Sequence, residues 1–397
     1  CSDRLLGGGR VRVVYPLAVG KGGLPHYAAS LANAVAKTED VVVLKPTETS
    51  ADDAFSDDVE VVETFDPPQV SIPDLYRLNV NPFSTLRSLY SYSNLARIES
   101  FDPDVVHDVM GLFAHIKLFA SRHDIGERYP FVVTYHELTS PRYPLSHPPM
   151  MISHLLKDLL PDVPLAAGVV HTDGQEDILR DTGYRPDRIE RIPHGAYDFF
   201  TGYEYEERPT EEHTILFFGN VIKEKGIDIL IEAIPRIRQS IPDLKLIIAG
   251  DGTIPPRSRE IIERYPEQFE ITDGYVPNDE VGTFFSRAAA VVVPYRARDG
   301  SRGHSGALST AFSFGKPVVA TDVGHFPSLV GDSGAGVVVE SGKARALADG
   351  IVDVLSDPND RTEMAENSQK MAKRLSWDGI ADRHRELYER TIRDFDR

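Results

Sequence analysis

Short apolar runs alternate with longer stretches of helical period along most of the chain. In one helical stretch, residues 25–37, Tyr27, Leu31 and Val35 recur at roughly helical spacing. Apolar strands that alternate with helices indicate a parallel sheet covered on both faces. The strand candidates in the first half of the chain are residues 11–15, 41–44, 105–107, 131–135, 167–171 and 189–192.

The alternation pauses at residues 196–213, AYDFFTGYEYEERPTEEH, which are aromatic and acidic and have no clear period. We expect a linker there, and therefore two α/β domains, at residues 1–200 and 210–376. Such domains bind ligands beyond the carboxyl ends of their strands, so the pattern predicts a ligand in a cleft between them. The second series of strand candidates is residues 214–218, 244–249, 269–272, 291–294, 317–320 and 335–339, and helices are predicted at 343–355, 361–375 and 378–395.

Composition agrees with this division, since 397 residues correspond to two or three domains of roughly 100–200 residues. The formal net charge is −18, from 43 basic and 61 acidic residues. This acidity argues against a bulk nucleic-acid binder and against general attraction to anionic lipid. Lys accounts for 12 of the basic residues and Asp for 35 of the acidic ones. That balance favours adaptation to a high-salt cytoplasm, the alternative being an ordinary acidic protein.

Cys1 is the single cysteine, so we expect neither an intrachain disulfide nor a cysteine-based metal site. The chain also lacks the H-E-x-x-H spacing of a zinc enzyme, and we expect no bound metal. No apolar run approaches the roughly 18 residues of a membrane span, and the first ten residues lack a secretory signal pattern. We therefore expect a cytosolic protein.

Residues 20–26, GKGGLPH, follow the first strand candidate and open a helix. Gly22 and Gly23 let the backbone approach a ligand, and the helix start offers unpaired N–H groups to negatively charged oxygens. The spacing fits neither a dinucleotide-binding fingerprint nor a Walker loop. A plain tight turn explains the same residues.

A second turn, residues 218–228, lies between the first strand and the first helix of the second domain and reads FGNVIKEKGID. Lys223 and Lys225 beside a helix start are able to neutralise a diphosphate, the alternative being a solvated surface turn. In a third segment, residues 305–319, Ser305 and the glycine after it open a helix whose N–H groups suit phosphate or sugar oxygens. A capped structural helix is the alternative there.

His107, His136 and His194 end or follow strand candidates, where doubly wound domains place their ligands. A neutral imidazole donates a hydrogen bond to a sugar hydroxyl or carries a proton. For each histidine taken alone, a structural role is the simpler interpretation.

Taken in order, these segments resemble the retaining GT-B glycosyltransferases of family 4 over nearly the whole chain. The agreement of the set is more specific than any single motif. The resemblance implies an α/β fold of two Rossmann-like doubly wound domains that face a central cleft, and a last helix, residues 377–397, that crosses back to the N-terminal domain. The most specific stretches are GGLPHY (22–27), TYHE (134–137), IPHG (192–195), FFGNVIKEKGIDILIEA (217–233), IIAGDG (247–252), GYVP (274–277) and FGKPVVATDVG (314–324).

The resemblance also implies a reaction, in which a glycosyl group moves from a nucleotide sugar to an acceptor hydroxyl with retained configuration and without a metal ion or cofactor. Lys225, Lys223 and the helix start at Ser305 would stabilise the diphosphate leaving group. His136 matches the histidine that contacts the transferred sugar. The further positions that the resemblance places on the donor side are Gly22, Gly23, Asn220 (an Arg in many relatives), Tyr275, Val276, Gly306 and Ala307, and those on the acceptor side are His26, His107 and His194.

The sequence departs from the family where relatives often carry two glutamates with E-x7-E spacing. Arg302 and Thr310 occupy those positions. His304, with the Ser-Gly pair that follows it, is similar to a Gln-Ser-Gly segment of some relatives. Because of this departure, we only expect, and do not assign, contacts of His304 and Thr310 with the ribose and the sugar of the donor. We also hypothesise that Arg302 adds a positive charge near the phosphates.

Two other functions share this architecture: a sugar-nucleotide epimerase and a catalytically degenerate partner subunit. An epimerase needs acid and base carboxylates, which the sequence does not identify. The missing glutamates favour a degenerate subunit, whereas Lys225 and the glycine turns argue against it. The aromatic residues of 65–95 and the apolar residues of 148–160 predict core helices, or else peripheral contact with a lipid-linked acceptor at the inner face of a membrane.

Overall fold

The structure is a computed structural model, and it describes residues 9–66, 82–136, 138, 159–181, 183–272, 274–297 and 305–395. It divides the chain into two compact units. The first unit combines Cys1–His194 with Trp377–Arg397, and the second is Gly195–Ser376.

A parallel sheet forms the centre of the first unit. In the described chain its strands are β1 (Arg12–Pro16), β2 (Asp40–Pro46), β3 (Glu60–Phe65), β4 (Val105–Asp108), β5 (Phe131–Tyr135), β6 (Ala167–Val170) and β7 (Ile189–Arg191). They pair in the order β3-β2-β1-β4-β5-β6-β7, with Val13 of β1 beside Val41 and Val105. The order reverses between β1 and β4, which is where doubly wound sheets bind ligands.

Helices cover this sheet. Among the described residues of the first part of the chain, the helices are α1 (Gly23–Ala36), α2 (Pro82–Ser91), α3 (Ala114–Arg122), α4 (Ile125–Arg128) and α5 (Asp173–Asp181), with 3-10 turns at Tyr92–Phe101 and Pro186–Arg188. Tyr27, Leu31 and Val35 of α1 are buried, which confirms the predicted apolar stripe. Burying that stripe against the apolar strands is what stabilises the pairing of helix and sheet.

The second unit repeats the same plan. Its described strands are β8 (Glu211–Phe218), β9 (Lys245–Ala249), β10 (Phe269–Ile271), β11 (Ala288–Val293), β12 (Val318–Thr321) and β13 (Gly336–Val339), in the parallel order β10-β9-β8-β11-β12-β13. Its helices are α6 (Ile227–Ile237), α7 (Pro256–Arg264), α8 (Asn278–Arg287), α9 (Gly306–Ser313), α10 (Ala344–Ser356) and α11 (Pro358–Arg374). Shorter turns lie at Phe199–Gly202, Lys223–Lys225, Pro266–Gln268 and Pro327–Gly331. The strand order reverses between β8 and β11.

The last helix, α12 (Trp377–Phe395), follows the second unit in sequence but belongs to the first. Trp377, His384, Tyr388 and Ile392 are among its buried residues. None of the helices in the described chain combines the length and the hydropathy needed to span a bilayer.

The predicted strands are confirmed to within a few residues, but β3 was not predicted from the sequence. Its residues EVVETF mix charged and apolar side chains, because this strand lies at the sheet edge and only its last two residues are buried. Residues 196–213 also differ from the expected linker. Phe200 is buried with its ring 6.4 Å from that of Phe218, and the Ala196 N–H donates to the Leu375 carbonyl at 3.0 Å. These aromatic residues therefore cover part of the second unit's core.

Candidate functional site

The turn that contains Gly20, Gly22 and Gly23, called the glycine turn, lies between β1 and α1 of the first unit. Gly22 has φ +92°, a conformation that favours glycine, and it immediately precedes the helix. Ser50 holds the turn from the loop after β2, because its N–H donates to the Gly20 carbonyl at 2.7 Å and its hydroxyl donates to the Gly22 carbonyl at 2.9 Å. A Cβ at Gly20 would lie 2.5 Å from the Glu48 carbonyl oxygen. Gly23 opens α1, so the turn presents a helix N-terminus suited to anionic oxygens.

His136 follows β5 and lies in a cluster of imidazole rings. Its Nε2 donates to the Val109 carbonyl at 2.8 Å, and its Nδ1 lies 3.3 Å from Nε2 of His171. The ring centroid of His194 lies 5.2 Å from that of His171, and the ring of Tyr27 lies 4.5 Å from that of His136. Burial lowers the pKa of His136 to about 4, so its imidazole is neutral at pH 7. The structure thus brings together two of the predicted histidines, His136 and His194.

Two residues of this cluster were missed by the sequence reasoning. The Gln175 side chain donates to the His136 carbonyl at 2.9 Å and accepts from the His171 N–H at 2.8 Å. His171 itself directly follows β6, as His136 directly follows β5. Because β5 and β6 are adjacent parallel strands, residues just beyond their ends lie at one sheet edge. That signal was available from the sequence.

His26 lies in the first turn of α1 and is 4% exposed. Burial lowers its pKa to about 4, although the charge of Asp53 opposes that shift. The His26 imidazole is therefore neutral at pH 7. It precedes Tyr27 in α1 and lies close to the glycine turn.

His107 differs from the expectation of an acceptor contact. It lies within β4 and has no exposed surface. Its Nδ1 is 2.7 Å from the Tyr388 hydroxyl and its Nε2 is 2.8 Å from the Thr134 hydroxyl. Burial lowers the pKa of His107 well below its usual range. Both ring nitrogens are used inside the unit, so His107 has a packing role in this structure.

In the second unit, the turn that contains Lys223 and Lys225, called the lysine turn, follows β8 and leads into α6. Gly226 has φ +71°, and a Cβ on it would lie 1.9 Å from the Pro294 carbonyl oxygen, so only glycine fits. Lys223 and Lys225 bound a 3-10 turn just before it. Lys225 Nζ lies close to Gly219, where an added Cβ would approach it to 3.0 Å. Asn220 lies in the same turn, so these residues form one compact segment beyond the end of β8.

Ser305 caps α9 beyond the end of β11. Its hydroxyl accepts the Leu308 N–H at 3.3 Å. A Cβ on Gly306 would lie 2.9 Å from the Tyr197 ring, so a small residue is needed at the first helical position. Ala307 follows it. The helix therefore begins with small side chains, at a terminus whose first N–H groups have no intrahelical partner.

Thr310 differs from the expectation of a donor contact. It is fully buried, and its hydroxyl donates to the Gly306 carbonyl at 2.9 Å within α9. In this structure Thr310 therefore packs within the unit and has no surface for a ligand. Arg302 and His304 lie outside the described residues.

Tyr275 and Val276 precede α8, after Gly274 with φ +91°. Tyr275 is 55% exposed, whereas Val276 is 7% exposed. The pair thus combines an exposed aromatic ring with a buried anchor. Among the described residues, no group of three or more His, Cys, Asp or Glu side chains is arranged to hold a metal ion.

Family models match both halves of the chain. The model described as Glycosyltransferase Family 4 matches residues 21–196, and the model described as Glycosyl transferases group 1 matches residues 212–357. These ranges contain the glycine turn, the histidine cluster, the lysine turn and the capped helix α9.

Curated relatives are similar over part of their length. The chain is 27% identical over 256 residues to the alpha-D-kanosaminyltransferase of Streptomyces kanamyceticus, covering 60% of this chain and 64% of that protein. It is 28% identical over 226 residues to the D-inositol 3-phosphate glycosyltransferase of Xylanimonas cellulosilytica, covering 52% of each. The matches thus span about half to two thirds of these relatives.

Solved structures share the fold over almost the whole chain. The sucrose-phosphate synthase of Thermosynechococcus elongatus matches with a TM-score of 0.70 and 18% identity, covering 96% of this chain and 100% of that one. Anabaena HepE, solved in complex with UDP and glucose, matches with a TM-score of 0.69 and 15% identity over the same shares. The two Rossmann-like sheets are therefore those of GT-B structures, and the family models on both halves establish that this chain belongs to the group 1, family 4 glycosyltransferases.

Proposed function

We propose that this protein transfers a glycosyl group from a nucleotide sugar to an acceptor hydroxyl, with retained anomeric configuration and without a metal ion. The observation that carries the proposal is the juxtaposition of Lys225 with the capped start of α9 through Tyr295, at the point where the strand order of the second sheet reverses. Ligands of doubly wound sheets bind at that point.

The diphosphate of the donor is the group best matched to these residues. Breaking the glycosidic bond leaves negative charge on the diphosphate, and fixed donors aimed at that charge stabilise the transition state. Lys225 and Lys223 supply positive charge, and the N–H groups at the start of α9 supply aligned dipoles. The two lysines thus provide the charge that a metal ion provides in other enzymes. Asn220 contributes a neutral amide at the same turn.

The nucleobase is proposed to lie against Tyr275 and Val276. An exposed tyrosine ring offers a face for stacking on a base, and the buried valine fixes the backbone beside it. In the first unit, the turn at Gly22 and Gly23 would bind anionic oxygens of the substrate through backbone N–H groups.

His136 is proposed to contact the transferred sugar. The N–H of the neutral ring is used by the Val109 carbonyl, so the Nδ1 lone pair is the atom that would accept a hydrogen bond from a sugar hydroxyl. Burial holds His136 in that neutral form, and the hydrogen bond from its Nε2 to the Val109 carbonyl fixes the ring orientation. His26 and His194 are proposed to lie on the acceptor side of this cluster.

We also propose that the protein contacts a membrane at its periphery. In residues 65–95, Tyr92 is buried as a core residue, but Phe83, Leu86 and Tyr90 of α2 are 86%, 64% and 72% exposed. They recur at helical spacing, so they form an apolar stripe suited to a lipid-linked acceptor or to the membrane that carries it. Tyr76 and most of residues 148–160 lie outside the described residues. Absence of binding to neutral and anionic liposomes at any salt concentration would contradict this part.

The reaction is tested by incubating the protein with UDP, GDP and ADP sugars. Thermal-shift measurements identify the donor, because a ligand that binds the folded state raises the unfolding temperature by mass action. We expect one donor to stabilise the protein, to be hydrolysed or transferred, and to remain a substrate in the presence of EDTA. NMR of the product reports the anomeric configuration. A protein that none of these donors stabilises, or that is inactive with a stabilising donor, would contradict the proposal.

Lys225→Gln provides the matched test of the site, with Lys370→Gln on the exposed surface of α11 as the control. We expect the first substitution to weaken nucleoside diphosphate binding by about tenfold or more, since hydrogen bonds to charged groups contribute about 1.5–3 kcal/mol. The control should leave binding unchanged.

A further inference from the structure

Tyr295 lies two residues beyond β11 and is held in place from several directions. Its carbonyl accepts the Thr321 hydroxyl at 2.7 Å and the Ser341 hydroxyl at 2.9 Å. Its ring packs edge-on against Phe326, with ring centroids 5.2 Å apart. These contacts restrict both the backbone and the ring of Tyr295. The ring therefore provides a fixed surface for the groups that it touches.

The same side chain touches both parts of the proposed diphosphate site. Lys225 Nζ lies 5.6 Å from the centroid of the Tyr295 ring, within the range of a cation–π interaction. The Tyr295 hydroxyl lies 2.8 Å from the Ser305 hydroxyl, which caps α9. One aromatic residue therefore joins the lysine turn to the helix start.

The next residue reinforces this connection from the backbone. The Arg296 N–H donates to the Glu224 carbonyl at 3.0 Å, and its guanidinium pairs with Asp228 at the start of α6. Segment 294–296 thus binds the lysine turn on both sides of Gly226, whose own hydrogen faces the Pro294 carbonyl.

We propose that Tyr295 is a positioning residue, which holds the Lys225 ammonium group and the N-terminus of α9 at the separation that a diphosphate requires. Electrostatic stabilisation depends on donors that are already placed before charge develops, and a flexible lysine side chain is poorly placed without a fixed neighbour. The ring acts on Lys225, and the hydroxyl acts on Ser305. This inference rests on the proposed function of Lys225.

The two contributions are separable by substitution. Tyr295→Phe removes the contact with Ser305 and keeps the ring, whereas Tyr295→Leu removes both. Against the nucleoside diphosphate that the wild type binds among UDP, GDP and ADP, we expect about threefold weaker affinity for the Phe variant and about tenfold for the Leu variant. The matching nucleoside, which lacks phosphates, should bind all three proteins equally.

The decisive comparison repeats both substitutions in a Lys225→Gln background. If the ring acts through Lys225, the difference between Phe and Leu at position 295 disappears there, so the two double variants bind the diphosphate equally. A purely structural role of the ring would leave that difference intact and would overturn the inference. If Tyr295→Leu does not fold, an unchanged diphosphate affinity of Tyr295→Phe overturns it instead.

Tyr265→Leu is the matched control, because the Tyr265 ring also lies against a cation, Arg238, at 4.4 Å, but in a different part of the second unit. It should leave diphosphate affinity unchanged. The outcomes also separate the two claims. Unchanged affinity in Lys225→Gln alone contradicts the proposed function, whereas a weakened Lys225→Gln with a persistent Phe–Leu difference contradicts only the role of Tyr295.

Discussion

The hydroxyl oxygens of Tyr15 and Tyr388 lie 2.9 Å apart in the interior of the first unit. Tyr15 is on β1 and Tyr388 is on α12, so the bond joins residues that are 373 positions apart in sequence. The Tyr388 hydroxyl also lies 2.7 Å from Nδ1 of His107. This buried network attaches α12 to the sheet.

Tyr388→Phe should therefore destabilise the first unit by about 1–3 kcal/mol, because buried polar groups on Tyr15 and His107 would each lose a partner. Urea denaturation followed by the fluorescence of Trp377, the single tryptophan, measures this unit. Tyr90→Phe, at a 72% exposed position, is the control and should change stability by less than about 0.5 kcal/mol. Equal stability of the two variants would show that the network contributes nothing.

Acid should destabilise the first unit through its buried, neutral histidines. Burial lowers the pKa values of His26, His136 and His384 from 6.5 to about 4. The unfolded chain then binds protons that the folded unit does not, so stability is complete above about pH 6.5 and falls as the pH drops towards 4. Each histidine contributes a slope of about 1.4 kcal/mol per pH unit within that window.

His384→Leu tests this dependence, because His384 is buried on α12. We expect the slope of the unfolding free energy between pH 6 and pH 4.5 to decrease by about one histidine's share, or roughly 1.4 kcal/mol per pH unit. His213→Gln, at the surface of the second unit, should leave the Trp377-monitored slope as it is. The prediction is wrong if His384→Leu and the wild type share the same slope.

The histidine cluster should contribute to catalytic efficiency. His136→Ala is expected to lower kcat/KM by about 100-fold, and His171→Asn by about tenfold through loss of the ring that packs against His136, with ring centroids 4.9 Å apart. Steady-state kinetics with the donor that the thermal-shift measurements select measure both. His123→Gln, whose Nε2 bonds the Ser93 carbonyl away from the cluster, is the control. Wild-type kcat/KM in His136→Ala would remove this histidine from the site.

Gly226→Ala should lower the free energy of unfolding far more than an alanine substitution at another glycine of similar conformation. At Gly226 the new Cβ would lie 1.9 Å from the Pro294 carbonyl, whereas at Gly342 (φ +78°) nothing lies within 4 Å. We expect Gly342→Ala to cost about 1 kcal/mol, from left-handed strain alone, and Gly226→Ala at least about 2 kcal/mol more. Thermal unfolding of both variants measures the difference, and equal unfolding temperatures would contradict it.

The hydrophobic pattern was sufficient to predict most of the strands, because buried parallel strands are apolar along their whole length. It failed at β3, where an edge position permits charged side chains. Among site residues, the lysine turn and Ser305 lie where the motifs predicted. The packing of Thr310 and His107 could not be predicted, because burial depends on neighbours distant in sequence, such as Tyr388. His171 was missed although it directly follows β6, and Tyr295 was missed because its contacts with Lys225 and Ser305 exist only in the folded chain.

The first unit is discontinuous, since its sheet precedes the second unit in sequence and α12 follows it. During synthesis, the strands from β1 to β7 emerge long before the helix that supplies Trp377, His384 and Tyr388 to their interior. The second unit, in contrast, is a continuous segment and is complete before α12 has been made. Domains generally fold as units when their residues are available. Order of folding on the ribosome should therefore be the reverse of order in sequence, because the N-terminal sheet lacks α12 until the second unit has been made.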